Sequence, residues 1–155
     1  MKRLIPVNLI LVLSGLSIFI HSCTPESCFE ETESFLKVSF YDDVTKKLRA
    51  PDSLTIYGLN NDSILYNNIR NVQPALIPLN TTEIKCVFII TINDMTDTVE
   101  FSYSSYPHLI SKECGYTFYH NLDQEPIFTS NAINNIYISK SIITTNNEEN
   151  IRIFY

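Results

Sequence analysis

The sequence lacks tryptophan and contains few glycines, histidines and basic residues, and each shortage excludes a class of function. Its 3 glycines are too few for a glycine-rich phosphate-binding loop or a nucleophile elbow. With 3 histidines and no Cys-x-x-Cys spacing, it lacks the usual ligands of a zinc site. Lysine and arginine total 11 against 17 for aspartate and glutamate, which argues against nucleic acid and anionic lipid headgroups as partners.

Apolar and aromatic residues, in contrast, are abundant. They make up 45% of the 155 residues and include 9 tyrosines and 9 phenylalanines, far more than a disordered chain carries. A chain of this length has room for one domain with its own core. We therefore expect a single folded domain.

The N-terminus has the three parts of a secretory signal peptide, namely a basic start at residues 1–3, an apolar run over residues 4–20, and the small residue Ser22. Cys23 follows directly, as in bacterial lipoproteins, whose signal is removed and whose new N-terminal cysteine is acylated. The run approaches the ~20 residues of a transmembrane helix, but polar residues and Pro6 interrupt it and no basic stop follows. The sequence therefore predicts a lipidated Cys23 in the cell envelope.

This interpretation divides the chain into three parts. Residues 1–22 are the expected signal peptide, residues 23–34 the lipid anchor with a short tether, and residues 35–155 the folded domain. The mature chain would have 133 residues, and losing two basic residues with the signal would change its formal net charge from −6 to −8.

Three cysteines remain beside Cys23 in an oxidising compartment, where disulfides persist. Cys86 lies within an apolar run and resembles a small buried hydrophobe. Cys28 lies in a polar lead and Cys114 precedes Gly115, so both can approach another segment. A Cys28–Cys114 bridge is the favoured prediction; a metal site is the alternative, and it is short of ligands.

Beyond Phe35 the pattern is alternation of apolar and polar residues between turns, with no helical period. Val, Ile, Thr, Tyr and Phe dominate these runs, as a half-buried sheet favours. Many short strands in one domain predict an all-β fold, a two-sheet antiparallel β-sandwich of immunoglobulin-like or similar type. The clearest signal is a hairpin with its turn at residues 93–95. The expected strands cover residues 35–41, 53–59, 63–66, 75–79, 84–92, 96–103, 108–110, 116–122, 135–144 and 150–155.

No catalytic constellation is evident. His108 and His120 have no serine or cysteine at a recognisable spacing, and structural histidines are commoner than catalytic ones. The Asp42-Asp43 and Asn93-Asp94 pairs lie between strands, where these residue types usually form turns. We therefore expect no enzyme activity, no catalytic or metal-binding residue and no cofactor.

With Cys23, Cys28 and Cys114 among the matching positions, the chain resembles a family of small uncharacterised Bacteroidetes lipoproteins that carry a domain of unknown function. The resemblance extends over essentially the whole mature chain. The matching segments are residues 22–23, 28, 36–42, 54–63, 76–80, 97–103, 114–116 and 151–155.

The resemblance implies the same fold, the lipid on Cys23 and a bridge between Cys28 and Cys114, which coincide with the family's two cysteines. Cys86 is not shared. The family has no established activity, so no mechanism follows. Its members are often encoded beside a predicted outer-membrane barrel protein, which implies a partner of that kind.

A repeated tripeptide of Asp, a hydroxyl residue and an aliphatic residue places Ser53, Ser63 and Thr98 in equivalent positions. It resembles the acceptor pattern for O-glycosylation of exported Bacteroidetes proteins. Turn chemistry at strand starts uses the same residue types, so both interpretations stay open.

These observations favour a non-enzymatic accessory lipoprotein on the periplasmic face of the outer membrane. A β-sandwich module that binds carbohydrate or another small ligand is the alternative. An aliphatic patch on a sheet edge would favour the first, and a concave cluster of tyrosines with Asn and Asp the second.

Overall fold

A computed structural model of the chain describes residues 27–59, 63–146 and 148–155. These residues contain eleven strands and no helix. The alternation in the sequence thus gives the predicted all-β architecture of two sheets. The strands are β1 (Phe35–Tyr41), β2 (Leu54–Gly58), β3 (Ile64–Ile69), β4 (Ala75–Pro78), β5 (Lys85–Ile92), β6 (Met95–Ser111), β7 (Gly115–Leu122), β8 (Ile127–Phe128), β9 (Asn135–Ile138), β10 (Ile142–Ile143) and β11 (Ile151–Phe154).

The smaller sheet has four strands in the order β4-β1-β11-β9. Its centre is a parallel pair, β1 with β11, in which Phe40 lies opposite Ile153. β4 and β9 flank this pair in antiparallel directions. The first and last strands, β1 and β11, are therefore neighbours at the centre of the smaller sheet.

The larger sheet has seven strands in the order β10-β7-β6-β5-β2-β3, and β8 pairs with β6 beside this path. The β5–β6 hairpin predicted from the sequence is confirmed, with Ile92 opposite Met95. Its two turn residues, Asn93 and Asp94, have φ angles of 47° and 73°. Left-handed angles at both positions match the right-handed twist of the flanking strands, and Asn and Asp tolerate them well.

The core lies between the two sheets and takes alternate residues from each strand. In β1 these are Leu36, Val38 and Phe40, all fully buried. Lys37 and Ser39, on the opposite face of β1, are also buried. The connection between β10 and β11 covers them, since the Lys37 ammonium donates to the Asn146 carbonyl. Both faces of β1 are therefore enclosed.

Two side chains join the sheets at their margins. Tyr66 of β3 accepts a hydrogen bond from the Leu76 backbone of β4 at 2.8 Å. On the other side, the buried Asn150 amide accepts from the Lys37 backbone at 3.1 Å and donates to the Ile142 carbonyl at 3.1 Å. Because a buried polar group must be paired, the bonds of Asn150 fix how the two sheets meet at its margin.

Two predictions of strand extent are wrong, and one strand was missed. Residues 96–103 and 108–110 belong to one strand, β6, of 17 residues. The predicted strand over residues 135–144 is two strands, β9 and β10, which belong to different sheets. The short strand β8 was not predicted. In each case the extent of the strand depends on which other strand it pairs with, and the local pattern does not reveal that partner.

Candidate functional site

The candidate site is the β6–β7 hairpin, whose outer part extends past the end of β5. β5 accompanies β6 as far as Ser102, and from Tyr103 onward β6 pairs with β7 up to Ser111. We call this part of the hairpin, residues 103–122, the arm. Its tip is the turn that contains Cys114.

A disulfide ties the tip of the arm to the segment that precedes β1, residues 27–34, which we call the lead. Cys28 and Cys114 are bonded, with Cα atoms 4.8 Å apart, within the ~4.4–6.8 Å that disulfides require. The predicted bridge is thus present. Gly115 has a φ of 75°, a left-handed angle that an L side chain rarely adopts, so its position in the turn suits glycine.

Hydrogen bonds continue the contact between lead and arm beyond the disulfide. The Thr117 hydroxyl of β7 donates to the Thr32 carbonyl at 2.6 Å. The Ser34 hydroxyl donates to the Phe118 carbonyl. The lead therefore lies along β7 from the tip of the arm to the start of β1.

The arm has two different faces. On the outer face, His108 stacks on Tyr119 with ring centroids 4.1 Å apart, and Tyr106 meets Tyr119 edge to face at 6.2 Å. The other face continues the sandwich core outward from Tyr103 and Leu122. We call the outer part of this second face the arm face. Residues that pair directly across two strands lie on the same side of the sheet, so the arm face consists of the pairs Pro107–Phe118 and Leu109–Tyr116.

The arm face borders a shallow groove of about 370 Å³ between the arm, the lead and the chain after β4. Tyr116 and Phe118 line its arm side, and Glu33 and Phe35 line it from the lead and β1. Pro78 and Leu79 line it from β4 and the chain that follows. The arm face is therefore open to the groove at Tyr116 and Phe118.

The structure contains a Ser–His pair at the base of the arm that was not predicted from the sequence. Ser105 and His120 lie opposite each other on β6 and β7, and the Ser105 hydroxyl is 2.8 Å from His120 Nδ1. His120 is buried, its ring meets Tyr103 edge to face, and burial lowers its pKa. Among the hydrogen bonds of the described residues, none joins a carboxylate to His120. This arrangement is that of a neutral core histidine whose polar nitrogen is satisfied.

Cys86 is a free cysteine half-buried in β5. Burial raises its pKa to about 12, so the thiol is protonated and unreactive. Tyr103, beside it, is fully buried, donates to the Asn80 carbonyl at 2.8 Å and has a pKa raised by burial. The interpretation of Cys86 as a small packing residue is consistent with this environment.

The carboxylates noted in the sequence form turns. Asp42 accepts hydrogen bonds from the backbone and hydroxyl of Thr45 at 2.7 and 2.9 Å and from Arg49 at 2.9 Å. These bonds, the backbone one first, lower the Asp42 pKa to about 2. In the part of the chain that the structure describes, no three His, Cys, Asp or Glu side chains come together as a metal ion would require.

The three predicted glycosylation acceptors lie in different environments. Ser63 is exposed, just before β3. Ser53 is half-buried, and its hydroxyl donates to the Asn68 side chain. Thr98 is half-buried and follows Asp97, a buried carboxylate that serves another purpose. Glycosylation at these positions stays a prediction.

A polar cleft of about 580 Å³ lies at the end of the larger sheet near the β5–β6 turn. Asn68, Asn71, Asn93 and Asp94, all with left-handed φ angles, line it together with Arg70. The remaining lining residues are Asp52 and Ser53. The cleft thus has the Asn and Asp expected of a carbohydrate site without the tyrosines.

The predicted lipidation site, Cys23, lies outside the described residues. Within them, no helix has the length and apolar character needed to cross a membrane.

Comparison with known proteins places the chain in a family. Neither a curated protein nor a solved structure matches the chain. One family does match, over residues 53–155, about two thirds of the chain; this range contains the whole arm and Cys114 and begins after Cys28. The chain therefore belongs to the family of unknown function DUF6452.

Proposed function

We propose that the protein is a cell-envelope lipoprotein, anchored through lipid on Cys23, that serves as a non-enzymatic accessory to an outer-membrane partner. The observation that carries this proposal is the Cys28–Cys114 disulfide. It fixes the domain to the chain only five residues after the expected anchor. At ~3.3–3.6 Å per extended residue, the tether reaches about 17 Å at most, so the domain stays beside the membrane.

An exposed sheet edge supports a protein partner. β3 is the last strand of the larger sheet, and its Ile64 and Ile69 are 56% and 47% exposed. An edge strand offers unpaired backbone groups to another chain, and aliphatic side chains on it add apolar contact. The partner proposed is an outer-membrane barrel protein, met at its periplasmic rim.

A non-enzymatic role is supported by the state of the Ser105–His120 pair. A hydrolytic pair needs an accessible serine and a histidine oriented by a third group. Here His120 is buried, burial lowers its pKa, and its hydrogen-bond partner within the described chain is Ser105. The pair fits a packing role at the base of the arm.

The first test is mass spectrometry of the N-terminal peptide from membranes, which is expected to begin at Cys23 and to carry fatty acyl groups. Cys23→Ser is expected to release the protein from the membrane fraction, whereas Cys86→Ser, the same change at the free thiol of β5, is expected not to. An unmodified Cys23 or a retained signal would contradict the proposal.

The partner and the orientation need separate tests. Affinity purification from detergent-solubilised membranes is expected to recover an outer-membrane protein with the wild type. Ile64→Asp on the exposed edge should reduce that recovery, and Ile142→Asp, at a similarly exposed position on the opposite edge strand, should not. Protection from protease added to intact cells is expected for the periplasmic orientation, and cleavage would overturn it.

The polar cleft beside the β5–β6 turn supports a second candidate, a module that binds carbohydrate. Arg70 and the Asn side chains offer several hydrogen-bond donors and acceptors to sugar hydroxyls. Binding to a glycan array that Arg70→Ala abolishes and Arg49→Ala preserves would support this function. An array without signal would remove it.

A further inference from the structure

The arm face is an apolar surface that the described chain leaves substantially exposed. Tyr116, Leu109 and Phe118 are 73%, 50% and 41% exposed, although the same side of the sheet is fully buried a few residues away at Tyr103. Pro107 completes the patch and is also exposed. Contiguous exposed apolar residues on a protein of this size mark a contact surface.

Charge around the arm face identifies what does not bind there. The tip carries Lys112 and Glu113, and the adjacent lead carries Glu30, Glu31 and Glu33. This excess of carboxylates repels anionic surfaces, whereas the face itself has no charged side chain. Its occupant is therefore apolar and not anionic.

The position of the arm identifies the occupant. Phe29, 92% exposed, lies next to Cys28, and Cys28 is bonded to the tip of the arm. The tether back to Cys23 reaches about 17 Å, little more than half of the ~30 Å hydrocarbon thickness of a bilayer. If Cys23 is acylated, the tip of the arm therefore lies within about 17 Å of the membrane surface.

We infer that the arm face enters the interfacial layer of a neutral lipid bilayer, with Tyr116, Leu109 and Phe118 as the inserting residues. This inference rests on the anchoring proposed above. Tyrosine and other aromatic side chains favour the headgroup boundary, where the ring is apolar and the hydroxyl meets water. The acyl chains then anchor the protein, and the arm sets its orientation, with the β3 edge free for a protein partner.

The absence of tryptophan allows a direct test. Tyr116→Trp introduces a single fluorophore into the arm face, and Tyr137→Trp places the matched control on the smaller sheet, where the replaced residue is 52% exposed. The full-length protein is purified from membranes and reconstituted into phosphatidylcholine vesicles, with and without bromine on the acyl chains. Mass spectrometry of the same preparation reports the state of Cys23.

The tryptophan of the Tyr116→Trp variant is expected to emit at shorter wavelength in vesicles, and brominated lipid should reduce its emission roughly twofold or more. The emission of the Tyr137→Trp control should be unaffected. Adding Leu109→Ser to the Tyr116→Trp variant should weaken the quenching. Because the contact is apolar, salt should not reverse it.

Two outcomes would overturn the inference. A Tyr116→Trp variant that is unquenched although its Cys23 is acylated would leave the anchor standing and remove the arm contact. Equal quenching of the Tyr116→Trp and Tyr137→Trp variants would mean contact without a preferred face. An unmodified Cys23, in contrast, would count against the anchor, and the quenching of the Tyr116→Trp variant would still decide the arm.

Discussion

The Asp97 carboxylate organises the connection between β8 and β9. Its two oxygens accept hydrogen bonds from the Thr129 hydroxyl and from the backbone of Asn131, Ala132 and Ile133, at 2.7 to 2.9 Å. Burial alone would raise the Asp97 pKa, but these four bonds outweigh burial and lower it. The residue that the tripeptide pattern marked as part of a modification site is thus a structural anchor of the fold.

Asp97→Asn is expected to destabilise the domain by about 2–4 kcal/mol, because an amide nitrogen would face backbone donors in a buried site. Urea unfolding followed by circular dichroism measures the change. Glu125→Gln, an exposed position between β7 and β8, removes the same charge and should leave stability within ~0.5 kcal/mol. Equal effects of the two substitutions would contradict the role assigned to Asp97.

The same carboxylate makes stability depend on pH. Since the folded pKa of Asp97 is lower than the ordinary 3.8, its contribution is present above pH 3.8 and is lost as pH falls towards the folded value. The difference in stability between the wild type and Asp97→Asn should therefore be constant near neutral pH and shrink below 3.8. Thermal unfolding over a pH series measures it, and a difference that grows on acidification would be incompatible with a lowered pKa.

At the scale of elements, most strands could be predicted because alternation is a local property. The β5–β6 hairpin and the two-sheet fold follow from it, and the Cys28–Cys114 bridge follows from the polar surroundings of its cysteines. The continuity of β6 could not be predicted, because Pro107 and the polar residues beside it suggest a break that pairing with β7 overrides. The parallel β1–β11 pair and the Ser105–His120 contact depend on distant segments and leave no local signal.

The β5–β6 turn offers a prediction at this scale. Asp94 has a φ of 73°, where glycine has no steric penalty and alanine does. Asp94→Gly should leave the free energy of unfolding unchanged or raise it by up to about 1 kcal/mol. Asp94→Ala should lower it by about 1 kcal/mol. Thermal unfolding of both variants measures the difference. The opposite order would mean that the Asp94 side chain itself stabilises the turn.

For the whole molecule, the central feature is the short stretch of chain between the expected anchor at Cys23 and the disulfide at Cys28. The lead, the disulfide, the arm and β1 form one continuous contact, so the domain is fixed to the chain from Cys28 onward, five residues after the expected anchor. A partner embedded nearby then meets the domain at a high effective concentration without needing tight intrinsic binding. A long tether would abolish that advantage while preserving every residue of the binding surface.

Insertion of about 20 Gly and Ser residues between Thr24 and Pro25 tests this arrangement, because such a linker adds an r.m.s. length of roughly 25 Å to the tether. Acylation of Cys23 and recovery in the membrane fraction should not change. Recovery of the proposed outer-membrane partner should fall, since its effective concentration falls with tether length.

The same insert placed after Tyr155 is the matched control and should leave recovery of the partner unchanged, because it lengthens the chain without lengthening the tether. Quantitative mass spectrometry of the purified complexes compares the three proteins. If the inserted tether recovers as much partner as the wild type, proximity to the membrane does not drive the association. The partner would then have to recognise the domain by contact alone, and the exposed edge of β3 would carry the whole of its affinity.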